Sequence, residues 1–121
     1  MIGYFYIFGT IAFTVYGQLI LKWRITQYDA LPLLLSEKLL FLAKLFLDPF
    51  FVSGLASAFI ASLFWILAMT KFEISYAYPF MSLAFVLVFL FSVFVFKESI
   101  NAYKVVGLTF IVLGIFITSR A

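Results

Sequence analysis

The sequence contains no cysteine and no histidine. The first absence excludes disulfides and thiolate metal sites. The second removes the commonest metal ligand and the usual proton shuttle near neutral pH. Charge is also scarce: Asp, Glu, Lys and Arg make up 11% of the 121 residues, against about 25% in a soluble domain. No convergent pair of acids accompanies the missing His and Cys, so neither catalysis nor a metal or other cofactor is expected. The net charge of +3 is not gathered into a dense basic cluster, so nucleic acid is not an expected partner.

What the chain has in abundance is apolar surface. Hydrophobic residues make up 67% of it, and the mean hydropathy is +1.24. A globule of this composition could not cover itself with polar groups, so the class is integral membrane and all-α. The charges leave uncharged runs at 1–21, 49–70, 74–96 and 105–119. A spanning helix needs roughly 20 mostly apolar residues. The spacing therefore predicts one domain over 1–121 with four membrane helices, near 2–22, 50–70, 75–96 and 102–119. The last run is short, but Lys104 can snorkel to the interface. The first run has no basic segment before it and no small-residue cleavage site after it, so it reads as a span rather than a signal peptide.

The segment 33–48, LLLSEKLLFLAKLFLD, is different. Glu37, Lys44 and Asp48 fall on one helical face and Leu and Phe fill the rest, which predicts a helix lying in the membrane interface. Pro32 and Pro49 bracket it, and Pro49 suits the first turn of the next helix. The segment reads either as an ordered linker or as a gate on substrate access.

Lys and Arg near the helix ends set orientation. Lys22, Arg24, Lys38, Lys44, Lys97 and Lys104 fall on one side, Lys71 and Arg120 on the other. The bias places both termini on the outer face in one fixed orientation.

Several helices carry polar or small stripes. In the first, Thr10, Thr14, Gln18 and Lys22 recur every four residues, drifting by only about 40° per step. A threonine can bond back to its own helix, but one helix cannot satisfy every donor and acceptor of Gln18. Lys22 can meet a phosphate in the headgroup zone or serve only to anchor the helix. Gly17 beside the stripe allows close approach of a backbone or ligand. In the second helix, Gly54, Ala58 and Ser62 form a small-residue face suited to packing, within the bundle or between subunits. The third opens SYAYPFMSL, with Ser75, Tyr78, Pro79 and Ser82 on one face. Pro79 leaves the Ser75 carbonyl without its helical donor. In lipid that gap needs protein or water to fill it, which points to a polar cavity. An interfacial tyrosine belt is the other reading. In the fourth helix, Gly107 and Gly114 lie near one face and point to a subunit interface. Glu98, beside Lys97, is either an exposed pair at the membrane edge or a cap or gate.

The motifs GQLILK, AYPFMSLAFV, FKES and GLTFIVLGIFI, in four helices of a 121-residue chain, resemble the small four-helix members of the drug/metabolite transporter superfamily, with a small multidrug resistance-like fold. The chain is more similar to the flippase subunits for undecaprenyl-phosphate-linked aminoarabinose than to the drug exporters. The resemblance covers nearly the whole chain apart from the long 23–48 connection. The exporters place a glutamate in the first helix; Thr14 stands at that place, and no Asp or Glu lies between Met1 and Lys22. Gly17, Gln18 and Lys22, with Ala77, Tyr78, Pro79, Ser82 and Leu83, match the flippase-like pattern, and Glu98 matches an acid common after the third helix.

The expected function is therefore flipping of a polyprenyl-phosphate-linked monosaccharide across a bacterial inner membrane. Lys22 would meet the phosphate, and Gln18, Thr14, Tyr78 and Ser82 the sugar hydroxyls or freed backbone, with Pro79 and Glu98 in a kink and a gate. An unpaired phosphate cannot cross hydrocarbon, so a slot must pair it. Four helices enclose little, so the expected partner is a second copy or a related four-helix protein. A small-metabolite or cationic-drug exporter is the alternative, and a non-transporting accessory subunit of a glycosyltransferase system is a second. No ionisable group lies deep in a predicted span, so flipping down a gradient is expected.

Overall fold

A computed structural model describes residues 2–28 and 33–120. Six helices follow in chain order: α1 Ile2–Ile25, α2 Leu35–Leu45, α3 Pro49–Met69, α4 Ile74–Phe80, α5 Leu83–Val95 and α6 Ala102–Thr118. No strand occurs among the described residues. Three stretches are long and apolar enough to cross a membrane: α1, α3, and Ile74–Val95 taken through its interruption. The apolar α6 is shorter, at 17 residues. Asp29 and Pro32 lie outside the described residues.

Local sequence explains where the helices begin. Asp48 caps α3, its Oδ1 accepting from the N–H groups of Phe50 at 2.9 Å and Phe51 at 3.3 Å. Pro49 then takes the first helical position, where its missing N–H costs nothing. Asn101 does the same for α6, accepting from the Lys104 N–H at 2.9 Å.

The main packing is α1 against α3, running antiparallel, and glycines allow it. A Cβ on Gly17 would lie 3.0 Å from the carbonyl oxygen of Gly54, and one on Gly54 would lie 2.6 Å from Ile20 Cγ2. Gly9 makes room for the Phe64 ring and Gly3 for the Phe72 ring. A hydrogen bond crosses the same seam: Ser57 Oγ donates to the Phe13 carbonyl at 2.6 Å. Ile7, Ile11 and Val15 on α1 form the core with Ala68, Ala77 and Ala84. α5 packs on α1, while α6 touches α4 and α5 and buries only Ile115.

Three features depart from the sequence expectation. The first helix continues to Ile25, so Lys22 and Arg24 lie in its last turn, where the helix dipole favours cations. The third span is broken at Met81–Ser82, beyond Pro79, which sits inside α4. There Met81 and Ser82 donate three residues back, to the carbonyls of Tyr78 and Pro79, and Ala84 and Phe85 repeat the pattern. This tighter winding separates α4 from α5. Finally, α2 covers only the middle of 33–48. Asp48 does not continue its face but turns inward, 5% exposed.

Candidate substrate cavity

Thr14 and Gln18 lie one turn apart on α1, beside Gly17. Tyr78 lies on α4, and Ser82 sits in the tight turn after it. These four side chains line a single cavity of about 490 Å³, floored by Met81, Ala84, Phe85 and Val88. The volume falls within the range of small-molecule sites, about 300–1,000 Å³. A smaller cavity of about 200 Å³ adjoins it across Thr14 and Gln18 and reaches Ala58, Ser62 and Trp65 on α3. The Trp65 ring meets Tyr78 edge-on, with centroids 5.8 Å apart, and so links the two walls.

The helix break contributes to this geometry. Within the tight turn, Ser82 is half-buried and lines the cavity. Thr10, higher on the stripe, is consumed by its own helix: its hydroxyl donates to the Tyr6 carbonyl at 2.8 Å. Thr14 and Gln18 make no side-chain hydrogen bond among the described residues and remain open to a ligand. No acidic residue lines either cavity.

The other predicted residues are dispersed. Lys22 is exposed in the last turn of α1 and lines neither cavity. Glu98 is exposed in the connection before α6, next to Lys97, whose φ is 55°. Of the α3 face, Gly54 is buried against α1, while Ala58 and Ser62 line the smaller cavity and Ser62 donates back to the Ala58 carbonyl. Gly107 and Gly114 have no atom within 4 Å of a built Cβ, so the small-residue face of α6 is bare.

Sequence reasoning missed the cluster at the base of α1. The Arg24 guanidinium reaches Asp48 Oδ2 at 2.6 Å from Nη2 and 2.7 Å from Nε. The Tyr28 hydroxyl donates to the same oxygen at 2.5 Å. Arg24 also lies over the rings of Trp23, Tyr28 and Phe50, its Cζ 5.2–5.7 Å from their centroids. The Tyr28 hydrogen bond, with help from Arg24 and two backbone N–H groups, holds the Asp48 carboxyl at about 2 despite its burial. Donating that bond raises the Tyr28 hydroxyl above its ordinary value. The available signal was Asp48-Pro49 itself, a capping acid before a first-turn proline.

The described residues are helical without strands and include three membrane-length apolar stretches, the build of a multi-pass membrane protein. The chain belongs to the EamA-like transporter family, within the drug/metabolite transporters, which matches residues 1–120. It is 31% identical over 114 residues to the probable 4-amino-4-deoxy-L-arabinose-phosphoundecaprenol flippase subunit ArnF of Aeromonas salmonicida, covering 93% of this chain and 75% of the relative. It is 32% identical over 122 residues to the protein of the same name from Yersinia enterocolitica, covering 97% and 93%. It is also 34% identical over 68 residues to the probable ArnE subunit for the same substrate from Proteus mirabilis, covering 56% and 60%. No solved structure matches the chain.

Proposed function

We propose that this protein is one subunit of a flippase that moves a polyprenyl-phosphate-linked monosaccharide across the inner membrane, with no covalent chemistry. The carrying observation is that Thr14, Gln18, Tyr78 and Ser82 share one cavity that contains no acid. Hydroxyls and an amide suit a sugar, and the absence of a carboxylate spares the phosphate a like charge. A cationic-drug site would need the acid that α1 lacks. The names of the relatives support an amino-sugar cargo on an undecaprenyl carrier.

In this reading the chain spans the membrane four times with both termini outward, and α2 lies in the interface. The prenyl tail stays in lipid while the head crosses between α1 and α4–α5. Lys22 receives the phosphate at the mouth before the head reaches Gln18. The bare Gly107–Gly114 face of α6 is where a second small four-helix subunit packs, since small residues let helices approach in lipid. Flipping runs down the gradient of the lipid-linked sugar.

Reconstitution into vesicles with a fluorescent polyprenyl-phosphate sugar tests this, alone and with a related four-helix protein. The reading predicts faster exposure of the sugar in the outer leaflet without a pH gradient. It also predicts that Gln18→Ala lowers the rate about tenfold, the effect of losing about 1.4 kcal/mol. Export of quaternary ammonium compounds with no effect on the lipid-linked sugar would overturn it.

A further inference from the structure

A second polar cavity, of about 420 Å³, lies at the end of the bundle where the start of α1, the 70–73 turn and the end of α6 meet. Its charged and hydroxyl-bearing walls are Lys71, Glu73, Ser75, Tyr4, Tyr76 and Thr118. Tyr4 and Gln18 are 14 residues apart on one helix, which places the two cavities about 21 Å apart along the axis of α1. The second cavity therefore stands near one membrane face, whereas the first lies within the span.

The construction of this cavity is specific. Gly3 lets the 70–73 turn close onto α1, since a Cβ there would meet the Phe72 ring at 2.6 Å and Lys71 Cβ at 3.1 Å. The Tyr4 and Tyr76 hydroxyls are hydrogen-bonded at 2.8 Å, and Tyr76 also reaches the Ser119 carbonyl at 3.4 Å. The Tyr4 and Tyr76 rings pack on Phe72, with centroids 4.9 and 5.4 Å away. The result is a fixed aromatic floor with hydroxyls along it. Above it stand one cation and one anion that do not pair with each other: the only ion pair among the described residues is Arg24–Asp48. Two opposite charges on one cavity wall, unpaired among the described residues, stand open to a ligand carrying the complementary pair.

We infer that this cavity is a second station for the same cargo, binding a zwitterionic sugar phosphate head with Lys71 on the phosphate, Glu73 on the sugar amine, and the Tyr4–Tyr76 floor under the ring. The inference rests on the flippase reading and adds what that reading lacks, a group that selects an amino sugar over a neutral one. No residue of the first cavity carries a charge that could pair with the amine. An ammonium–carboxylate contact provides selectivity at a membrane face, where both partners are at least partly hydrated and the desolvation cost is smallest.

The test uses the full chain in nanodiscs and two probes: farnesyl phosphate linked to 4-amino-4-deoxyarabinose, and the same lipid linked to arabinose. Binding is measured by titration calorimetry. Lys71 and Glu73 are exposed, so their substitution leaves the core intact. Lys71→Gln is expected to weaken both probes at least tenfold, and Glu73→Gln only the amino probe, by a similar factor, because each removes a charge-assisted hydrogen bond to the ligand. Lys44→Gln, on exposed α2, is expected to change neither. If Gln18→Ala weakens binding while Lys71→Gln and Glu73→Gln bind both probes like the parent, the second station is refuted and the flippase reading stands. If the unmodified protein binds neither probe, alone or together with a related four-helix subunit, the flippase reading fails and takes the station with it.

Discussion

The carbonyl oxygen of Gly54 lies 3.0 Å from where a Cβ on Gly17 would sit. The two backbones meet there, and the polar stripe of α1 is aimed into the cavity from beside that contact. Gly17→Leu should force α1 and α3 apart, because a backbone cannot yield as a side-chain tip can. The expected result is loss of monodisperse protein in detergent. Gly107→Leu and Gly114→Leu, which meet nothing within the chain, should leave the isolated subunit as stable as the parent. Size-exclusion profiles after heating distinguish the two cases.

The Ser57 hydroxyl carries an interhelical bond to the Phe13 carbonyl. Ser57→Ala should cost about 0.6 kcal/mol, the average for such bonds in a membrane protein. Ser53→Ala should cost less, because its 3.3 Å contact with Tyr16 is long and Ser53 also donates to the Phe50 carbonyl. Unfolding in mixed micelles measures both.

The Asp48 cluster sets a pH dependence. Its carboxyl is held at about 2 in the folded protein, below the ordinary carboxylate range. A depressed acid contributes stability above its unfolded value, and that contribution is lost as pH falls from about 4 towards 2. Tyr28 acts in the opposite direction: its raised hydroxyl contributes fully below about 10 and loses that contribution as pH rises further. Thermal stability should therefore be flat between about pH 5 and 9 and fall at both ends. Because one hydrogen bond is the leading cause of both shifts, Asp48→Asn should remove the acid limb and shrink the alkaline one, and Tyr28→Phe should remove the alkaline limb and shrink the acid one.

Much of this molecule can be read from its sequence, and the parts that cannot have physical reasons. Charge spacing located three apolar stretches long enough to span, because a bilayer tolerates few charges in them, while the fourth expected span is the 17-residue α6. The four-residue rhythm of Thr14 and Gln18, and the Tyr78–Ser82 face, identified side chains that converge on one cavity. Asp48 was misplaced because a capping residue is defined by the N–H groups after it, while a helical-face count looks only at the residues before it. The break at Met81–Ser82 was hidden because Pro79 marks where a hydrogen bond is missing, and the winding tightened two residues later. The polar end cavity draws Tyr4, Lys71 and Thr118 from three separate places, and no local pattern joins them.

Thr14 lines a cavity that no acidic or basic residue lines. Thr14→Glu places a carboxylate where the phosphate must pass, and transport of a phosphate-linked sugar should fall at least tenfold at pH 7.5, recovering partly at low pH as the acid protonates. Thr14→Ser should keep most of the rate. Initial rates in vesicles, compared at pH 7.5 and 5.5, test this.

Lys97 holds a left-handed backbone, φ 55°, between α5 and α6. That conformation costs a side-chain-bearing residue about 1–2 kcal/mol and glycine nothing. Lys97→Gly should raise the melting temperature, and Lys97→Val should lower it.

Helix α6 buries one residue, Ile115, against the rest of its chain. In water such a helix would unravel if it came loose, but in lipid its backbone bonds stay satisfied within itself. Detaching it therefore breaks side-chain contacts and no hydrogen-bonded ladder. In the four-span reading its docking is a two-dimensional equilibrium, governed by how many suitable surfaces share the membrane. In that reading the docked fraction of α6 rises with the number of partner surfaces in the bilayer, by mass action alone.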